Sequence, residues 1–278
     1  MLCPVSGEYT IAGGLADAQR LARQAHVMQD ATRAFLSRVA VRSGWSCLDV
    51  GCGDGQVSIE LSRIVGATGR VVGIDIDAAA LELARRTAIA AGARVEFVQA
   101  DATELSEDGA FDLAYSRLLL SHLLEPLGTL RSLSRQVRPG GTVAVEDLFL
   151  GTLGSDPPSP ALDWLQEVYG ATVRFHGGDP TIGPRLRALL SAGGLVGVDE
   201  RTVTNQIRTV EDKLFLAQLV RNMRASSLTA GAATESELDA LQAQVEQAAR
   251  SQDNVFYQAR IHQVWGRRPT EPPPSAAS

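Results

Sequence analysis

The chain is poor in cysteine, in clustered basic charge and in long apolar runs, and each shortage removes a class of protein. Three cysteines among 278 residues, Cys3, Cys47 and Cys52, are too few and too unevenly spaced for a disulfide framework or a zinc site. Cys47 and Cys52 fall beside the first expected strand, which reads as buried, reduced thiols. A net charge of -6, with no basic knot except Arg267-Arg268, argues against a nucleic-acid partner, because phosphate backbones are held by clustered Lys and Arg. No apolar run reaches membrane-spanning length, and the first residues lack the basic-then-apolar order of a secretion signal. The expectation is a cytoplasmic protein, monomer or homodimer, with no membrane partner and no metal.

What is present is ordinary globular composition, 45% hydrophobic and 21% charged, in a chain long enough to bury a sizeable core. Leu21, Ala25, Met28, Thr32, Phe35 and Val39 recur at helical spacing and predict one long amphipathic helix, or two, ahead of the main domain. From Cys47 the pattern alternates between strand and helix. Strands are expected at 47–50, 71–74, 95–98, 111–115 and 142–145, with helices between them; Asp77 is placed to cap one of these and Gly92 to end it. Such alternation implies a parallel sheet with helical crossovers.

After Leu150 the rhythm loosens. Helices are expected around Leu162–Val168 and Arg185–Ser191, with a strand over 196–203. Thr209 with Asp212, and Thr234 with Glu237, start two further helices by capping. Val255–Trp265 returns to strand-like alternation, so these helices read as an insertion between late strands. The tail 269–278, all Pro, Ala, Ser, Thr and Glu, is expected to be disordered.

The chemistry concentrates in Leu48-Asp49-Val50-Gly51-Cys52-Gly53-Asp54-Gly55, between an expected strand and an expected helix. Glycines at 51, 53 and 55 let the backbone turn tightly and approach a ligand, and amides at the helix start favour a carboxylate or phosphate. The spacing is Gly-x-Gly-x-Gly, whereas a dinucleotide site wants Gly-x-Gly-x-x-Gly. An acid at Asp49 is ill placed for a pyrophosphate and well placed for a ligand bearing an amino group and a sulfonium. A structural role for Asp49, accepting hydrogen bonds from loop amides, is the alternative.

This segment resembles the nucleotide loop of class I S-adenosylmethionine-dependent methyltransferases. The likeness extends over roughly 45–150 through Gly73-Ile74-Asp75-Ile76-Asp77, Gln99-Ala100-Asp101-Ala102, Ser116-Arg117 and Arg138-Pro139-Gly140-Gly141. It implies an α/β fold: a Rossmann-like, seven-stranded, mostly parallel sheet with helices on both faces, plus N-terminal helices and a helical cap insertion. The implied division is an N-terminal helical lid over 1–40, an S-adenosylmethionine-binding domain over 41–268 with cap insertions at about 151–184 and 205–252, and the tail. Asp75 would take the ribose hydroxyls, Ile76 the adenine face, and Asp101 with Ala102 the adenine amino group. Asp49, Gly51, Gly53, Asp54, Ser116 and Gln24 complete the implied cofactor set.

Candidate catalytic groups are His122, Glu146 and Tyr9. For His122 the reading as a core histidine hydrogen-bonded to backbone carries more weight than the catalytic one. Glu146, with Asp147, follows the fifth strand and is expected at the substrate mouth. Tyr9 would close over the cofactor with Arg20 and Gln24, while Tyr169 and His176 are candidates by location in the first insertion. The implied activity is methyl transfer to an O, N or C nucleophile of a small molecule, of natural-product or quinone type. A cyclase or decarboxylase that keeps the cofactor without transferring its methyl is the alternative; a nicotinamide oxidoreductase fails on the glycine spacing. Calorimetry should register heat with S-adenosylmethionine and its demethylated product and none with NAD; tight NAD binding with neither sulfur ligand bound would overturn the reading.

Overall fold

The computed structural model describes residues 18–102, 105 and 109–270. Tyr9 and the rest of 1–17, and 271–278 of the tail, lie outside the described residues. The elements, in order, are α1 (Ala18–Arg38), β1 (Ser46–Val50), α2 (Gln56–Val65), β2 (Arg70–Asp75), α3 (Ala78–Ala90), β3 (Glu96–Gln99), β4 (Phe111–Arg117), α4 (Pro126–Gln136) and β5 (Val137–Phe149). Then follow β6 (Gly154–Asp156), α5 (Pro160–Phe175), α6 (Leu186–Ala192), β7 (Val196–Val203), β8 (Gln206–Ile207), α7 (Val210–Lys213), α8 (Phe215–Asn222), α9 (Arg224–Thr229), α10 (Glu235–Arg250), β9 (Val255–Tyr257) and β10 (Arg260–Arg267).

Seven strands form one sheet in the order β3-β2-β1-β4-β5-β10-β7. The pairs from β3 to β5 are parallel, and β10 runs antiparallel to both of its neighbours. Period-two alternation sends successive residues to opposite faces. Cys47, Val71, Leu113, Tyr115 and Ala144 pack under Phe35 and Leu36 of α1 and Leu61 of α2. Their chain neighbours Leu48, Val72, Ala114, Val143 and Val145 pack under Leu130 and Leu133 of α4 and Leu186 and Leu190 of α6. Both faces are therefore covered, which is why these strands read as continuous apolar runs in the sequence. Each buried aliphatic or aromatic side chain contributes about 1.5–3 kcal/mol. Asp77 caps α3 as expected, its Oδ1 accepting from the Ala79 amide at 2.8 Å.

A second core lies beside the sheet. Leu162, Leu165 and Val168 of α5 meet Leu216 and Val220 of α8 and Leu238, Leu241 and Val245 of α10. The two insertions thus close on each other, and Met28, Val220 and Met223 are fully buried within the chain, without need of a second subunit. Three details differ from the sequence expectation. The helix begun at Thr209 is broken into α7, α8 and α9. The strand expected over 255–265 is two strands, interrupted at Gln258-Ala259 so that β9 joins a small sheet of order β6-β9-β8. That sheet has no trace in the periodicity because strands of two or three residues carry no pattern. Finally, β5 starts at Val137, pairing with Phe111 ahead of an irregularity in the β4–β5 register at Arg138–Gly141, where Gly140 takes a φ of 78°. No helix among the described residues is long and apolar enough to cross a membrane.

The link from α1 to β1 turns at Ala40, whose φ of 61° lies in the left-handed region, while the Val41 amide bonds the Leu36 carbonyl at 3.2 Å. A side chain there is strained, and glycine is the natural residue at this position of a helix end. Ala40→Gly should stabilise the fold by about 1 kcal/mol and raise Tm by roughly 2 °C, read by calorimetry.

Candidate active site

A cleft with about 1180 Å³ of empty space, counting its open mouth, lies at the carboxyl ends of β1, β2, β4 and β5. The glycine loop forms one wall, α1 covers it, and α5, α8 and the β9–β10 break close its far end. This is the edge at which open α/β sheets bind ligands.

The loop's own hydrogen bonds decide what it can hold. The amides of Gly51 and Cys52 both donate to the carbonyl of Ile74, each at 2.9 Å. The Gly53 amide donates to Asp75 Oδ2 at 2.9 Å, and the Gly55 amide to the Cys52 carbonyl at 2.9 Å. These four donors are spent inside the protein, and at the helix start the amides of Gln56 and Ser58 serve Asp54 and Asp49, so they are not presented to a phosphate. Gly51, Gly53 and Gly55 all take positive φ, and a Cβ on Gly53 would project into open space. The wall is thus shaped for close approach of a ligand without being an anion nest.

Carboxylates face the cavity instead. Asp49, Asp54 and Asp75 line it. Asp49 is buried and accepts from the Ser58 hydroxyl at 2.6 Å and from the Ser58 backbone amide in the first turn of α2, beyond the glycine loop itself. Burial pushes its carboxyl up to about 6, against the pull of Ser58 and Arg117. Burial also raises Asp54, countered by Arg117 and by hydrogen bonds from Gln56. Asp75 is raised by burial too, although its oxygens accept from the amides of Gly53 and Asp77. Three acids with uncomfortable negative charge make a cavity that a cation relieves. Cys52, also on this wall, has its thiol pushed far up by burial, which leaves it unreactive.

His122 sits on a single helical turn, Leu120–His122, and faces the same cavity. The turn is held by the Ser121 amide donating to Asp147 Oδ2 at 3.0 Å. Burial, helped by the charge of Arg20, lowers His122 to about 4, so the imidazole is neutral at physiological pH. Its Nε2 lies 3.4 Å from the hydroxyl of Tyr169 on α5, with the two rings edge to face. Gln24 on α1 lines the cavity and accepts from Arg20 at 2.5 Å.

Other expected residues lie elsewhere. Glu146 is not at a mouth: β5 continues past it, and it is buried, accepting from the Tyr115 hydroxyl and, at 2.6 Å, from the Gln263 amide. Ser116 is buried in β4, away from the cavity. Ile76, 55% exposed, Asp101 and Ala102 sit on the loops after β2 and β3, outside the enclosed cleft. His176 ends α5 beside Phe175 and does not reach the cleft. Arg117 and Gln258 line the cavity but were not among the expected ligand residues. Arg117, at the end of β4, is followed by Leu118 with a φ of 54° and donates to the Thr32 hydroxyl of α1 at 3.3 Å; Gln258 depends on the unforeseen strand break.

Comparison with known proteins places this geometry. A family profile described as a methyltransferase domain matches residues 47–141. The ubiquinone/menaquinone biosynthesis C-methyltransferase of Hahella chejuensis is 33% identical over 140 residues, which are 49% of this chain and 54% of that protein. A demethylmenaquinone methyltransferase of Staphylococcus aureus is 39% identical over 144 residues, 51% of this chain and 56% of that one. The chain therefore spans about half the length of the curated relatives it matches. Among solved structures, the Bacillus subtilis YcgJ protein shares the fold at TM-score 0.57 and 15% identity, covering 88% of this chain and 98% of that one. The [4+2]-cyclase SpnF shares it at TM-score 0.53 and 21% identity, covering 96% and 90%.

The raised carboxyl of Asp49 has a consequence for stability. A group lifted from 3.8 to about 6 takes up a proton on folding, so its contribution is present at low pH and is lost as pH rises through about 6. Asp49→Asn, which can still accept from Ser58, should exceed the parent by about 1–3 kcal/mol near neutral pH, the gain shrinking toward about pH 4, in urea unfolding at a series of pH values.

Proposed function

We propose that the protein, whose residues 47–141 match a methyltransferase-domain profile, is a class I S-adenosylmethionine-dependent enzyme that transfers a methyl group to a small-molecule acceptor of natural-product or quinone type. The observation that carries the reading is the ring of Asp49, Asp54 and Asp75 around a cleft whose loop amides are already satisfied. That donor set suits a cationic, sulfonium-bearing ligand and does not suit a pyrophosphate.

S-Adenosylmethionine, when bound, supplies an electrophilic methyl on a positively charged sulfur. Everything else falls to the chain's residues. Asp75 holds Gly53 and Asp77 in place and retains lone pairs for ribose hydroxyls. Ile76 and Asp101, beside it on the open edge, serve the adenine. Asp49 and Asp54 compensate positive charge, while Arg20 and Gln24 on α1 offer donors to the ligand's carboxylate. Gly53 leaves room for close approach.

The bound cofactor would give up its methyl to the acceptor's nucleophile, its sulfur keeping the electron pair. An acceptor hydroxyl must then give up its proton, and His122, neutral and facing the cleft, takes it. The apolar cap excludes water and aligns the two partners, which is the larger part of the catalysis in an in-line displacement.

The test is incubation with methyl-labelled S-adenosylmethionine and a metabolite pool, followed by recovery of labelled product. Cofactor binding without label in any product would favour a cyclase or decarboxylase on this fold. Asp75→Ala should weaken cofactor binding by roughly 2–4 kcal/mol, because both the ribose acceptor and the anchor of Gly53 are lost. Unchanged affinity in calorimetry would place the ribose elsewhere.

A further inference from the structure

Arg117 faces two ways. Besides the cleft, it lines a separate cavity with about 640 Å³ of empty space, counting its open mouth, between α1 and α2. Ala25 and Val57 also border both spaces, so one guanidinium and two apolar side chains form the partition. Near the end of α1 the two helices meet through Phe35, Leu36 and Leu61. At the cavity the facing stripes are different. Ala22, Gln29 and Thr32 of α1 stand across from Gln56, Glu60 and Arg63 of α2, each set at helical spacing. Neighbouring helices normally interlock through apolar side chains. Polar stripes facing one another across a cavity make a place for a polar guest.

The charges in this cavity do not cancel. Its carboxylate, Glu60, is already taken: Arg33 grips both oxygens, at 2.9 and 3.0 Å, and Arg63 reaches one of them at 3.3 Å. Arg117 has no such partner. Among the described residues its one hydrogen bond goes to the Thr32 hydroxyl at 3.3 Å, long for a charged donor, and it forms no ion pair. Asp49 and Asp54 feel its charge from the cleft side without touching it. Most of a planar donor fork is therefore unspent, and that fork matches a carboxylate or a phosphate. We propose that the α1–α2 cavity is a second ligand site, for a small oxyanion held by Arg117 with Gln29 and Arg63. The site goes beyond methyl transfer, lies outside the cleft and needs no cofactor to form. It is nevertheless coupled to the cleft. Negative charge placed behind Arg117 adds to the field of Asp49 and Asp54, so the oxyanion and a cationic cofactor strengthen each other, by the same factor in both directions.

The probes are inorganic phosphate and acetate, each titrated into the full chain at constant ionic strength and followed by NMR of the anion. One or both should bind saturably, and the tighter of the two tells a phosphate site from a carboxylate site. Gln29→Glu keeps the side chain's shape and adds like charge at a half-buried position, so it should weaken the anion roughly tenfold. Arg63→Ser, at an exposed position, should weaken it as well. Neither variant should alter the affinity for S-adenosylhomocysteine in buffer free of both anions. A saturating anion should tighten S-adenosylmethionine, which carries the sulfonium charge, roughly fivefold more than S-adenosylhomocysteine, which lacks it. The proposal is overturned if neither anion saturates, or if both variants bind like the parent. It is overturned too if the anion competes with S-adenosylhomocysteine, which would put it in the cleft in place of the cofactor's own carboxylate. Equal tightening of the two sulfur ligands, or none, would remove the coupling. Saturable anion binding in a protein with no affinity for either sulfur ligand would sink the methyl-transfer reading and leave the oxyanion site standing. Both sulfur ligands bound, with no anion saturating, would do the reverse.

Discussion

Two amide protons converge on one carbonyl oxygen, that of Ile74, and the shape of the site follows from it. Because Val50 and Ile74 are register partners in adjacent parallel strands, the chain leaving β1 folds back at once onto the end of its neighbour. The positive φ values at Gly51, Gly53 and Gly55 are what that return requires. Gly53 then reaches Asp75, and Asp75 in turn holds the Asp77 amide at 3.0 Å, at the start of α3. One short loop therefore sets the start of α2, the carboxylate of Asp75 and the entrance of α3 before any ligand arrives. Such preorganisation lowers the ordering cost of binding. It also turns the loop's donors inward, which is why its ligand preference is decided by side-chain acids.

A second polar knot explains how α1 stays over the cleft. Glu146 accepts from Tyr115 and from Gln263, and the Gln263 amide also reaches the Ala31 carbonyl at 3.2 Å. Burial beside Glu146 keeps the Tyr115 phenol protonated far above its ordinary range, so it remains a donor to that carboxylate. Phe35 adds an edge contact to Trp265, with centroids 5.7 Å apart. The helix that carries Arg20 and Gln24 is thus docked by strand residues on the face opposite His122. Buried hydrogen-bonded charge of this kind is costly to break, since the remaining partner is left without compensation.

The legible parts of the chain were those where one local rule decides the outcome. The apolar runs at 47–50, 71–74 and 111–115 are enforced by burial on both faces, and the caps at Asp77, Thr209 and Thr234 are made by side chains a few residues away. Asp49, Gly53 and Asp75 could be placed because their loop is local too. Glu146 could not: whether it faces solvent or core depends on how far β5 extends, and that depends on β10 pairing with it from more than a hundred residues away. The same holds for Gln258, where two sheets compete for one apolar run, and for Arg117, whose partner Thr32 lies on α1, 85 residues away.

The position of β10 has a bearing on how the chain comes to be made. It lies between β5 and β7, yet it follows both in sequence, with the whole cap synthesised before it. A ribosome therefore releases β5 and β7 as open edges with unpaired backbone groups, while the Glu146 carboxylate still lacks Gln263. The nucleotide half can collapse early, but the sheet becomes continuous only when its penultimate strand slots between two strands already formed. That makes the interval before residue 260 the time at which nascent chains are most open to edge pairing with one another, and at which a chaperone has most to protect.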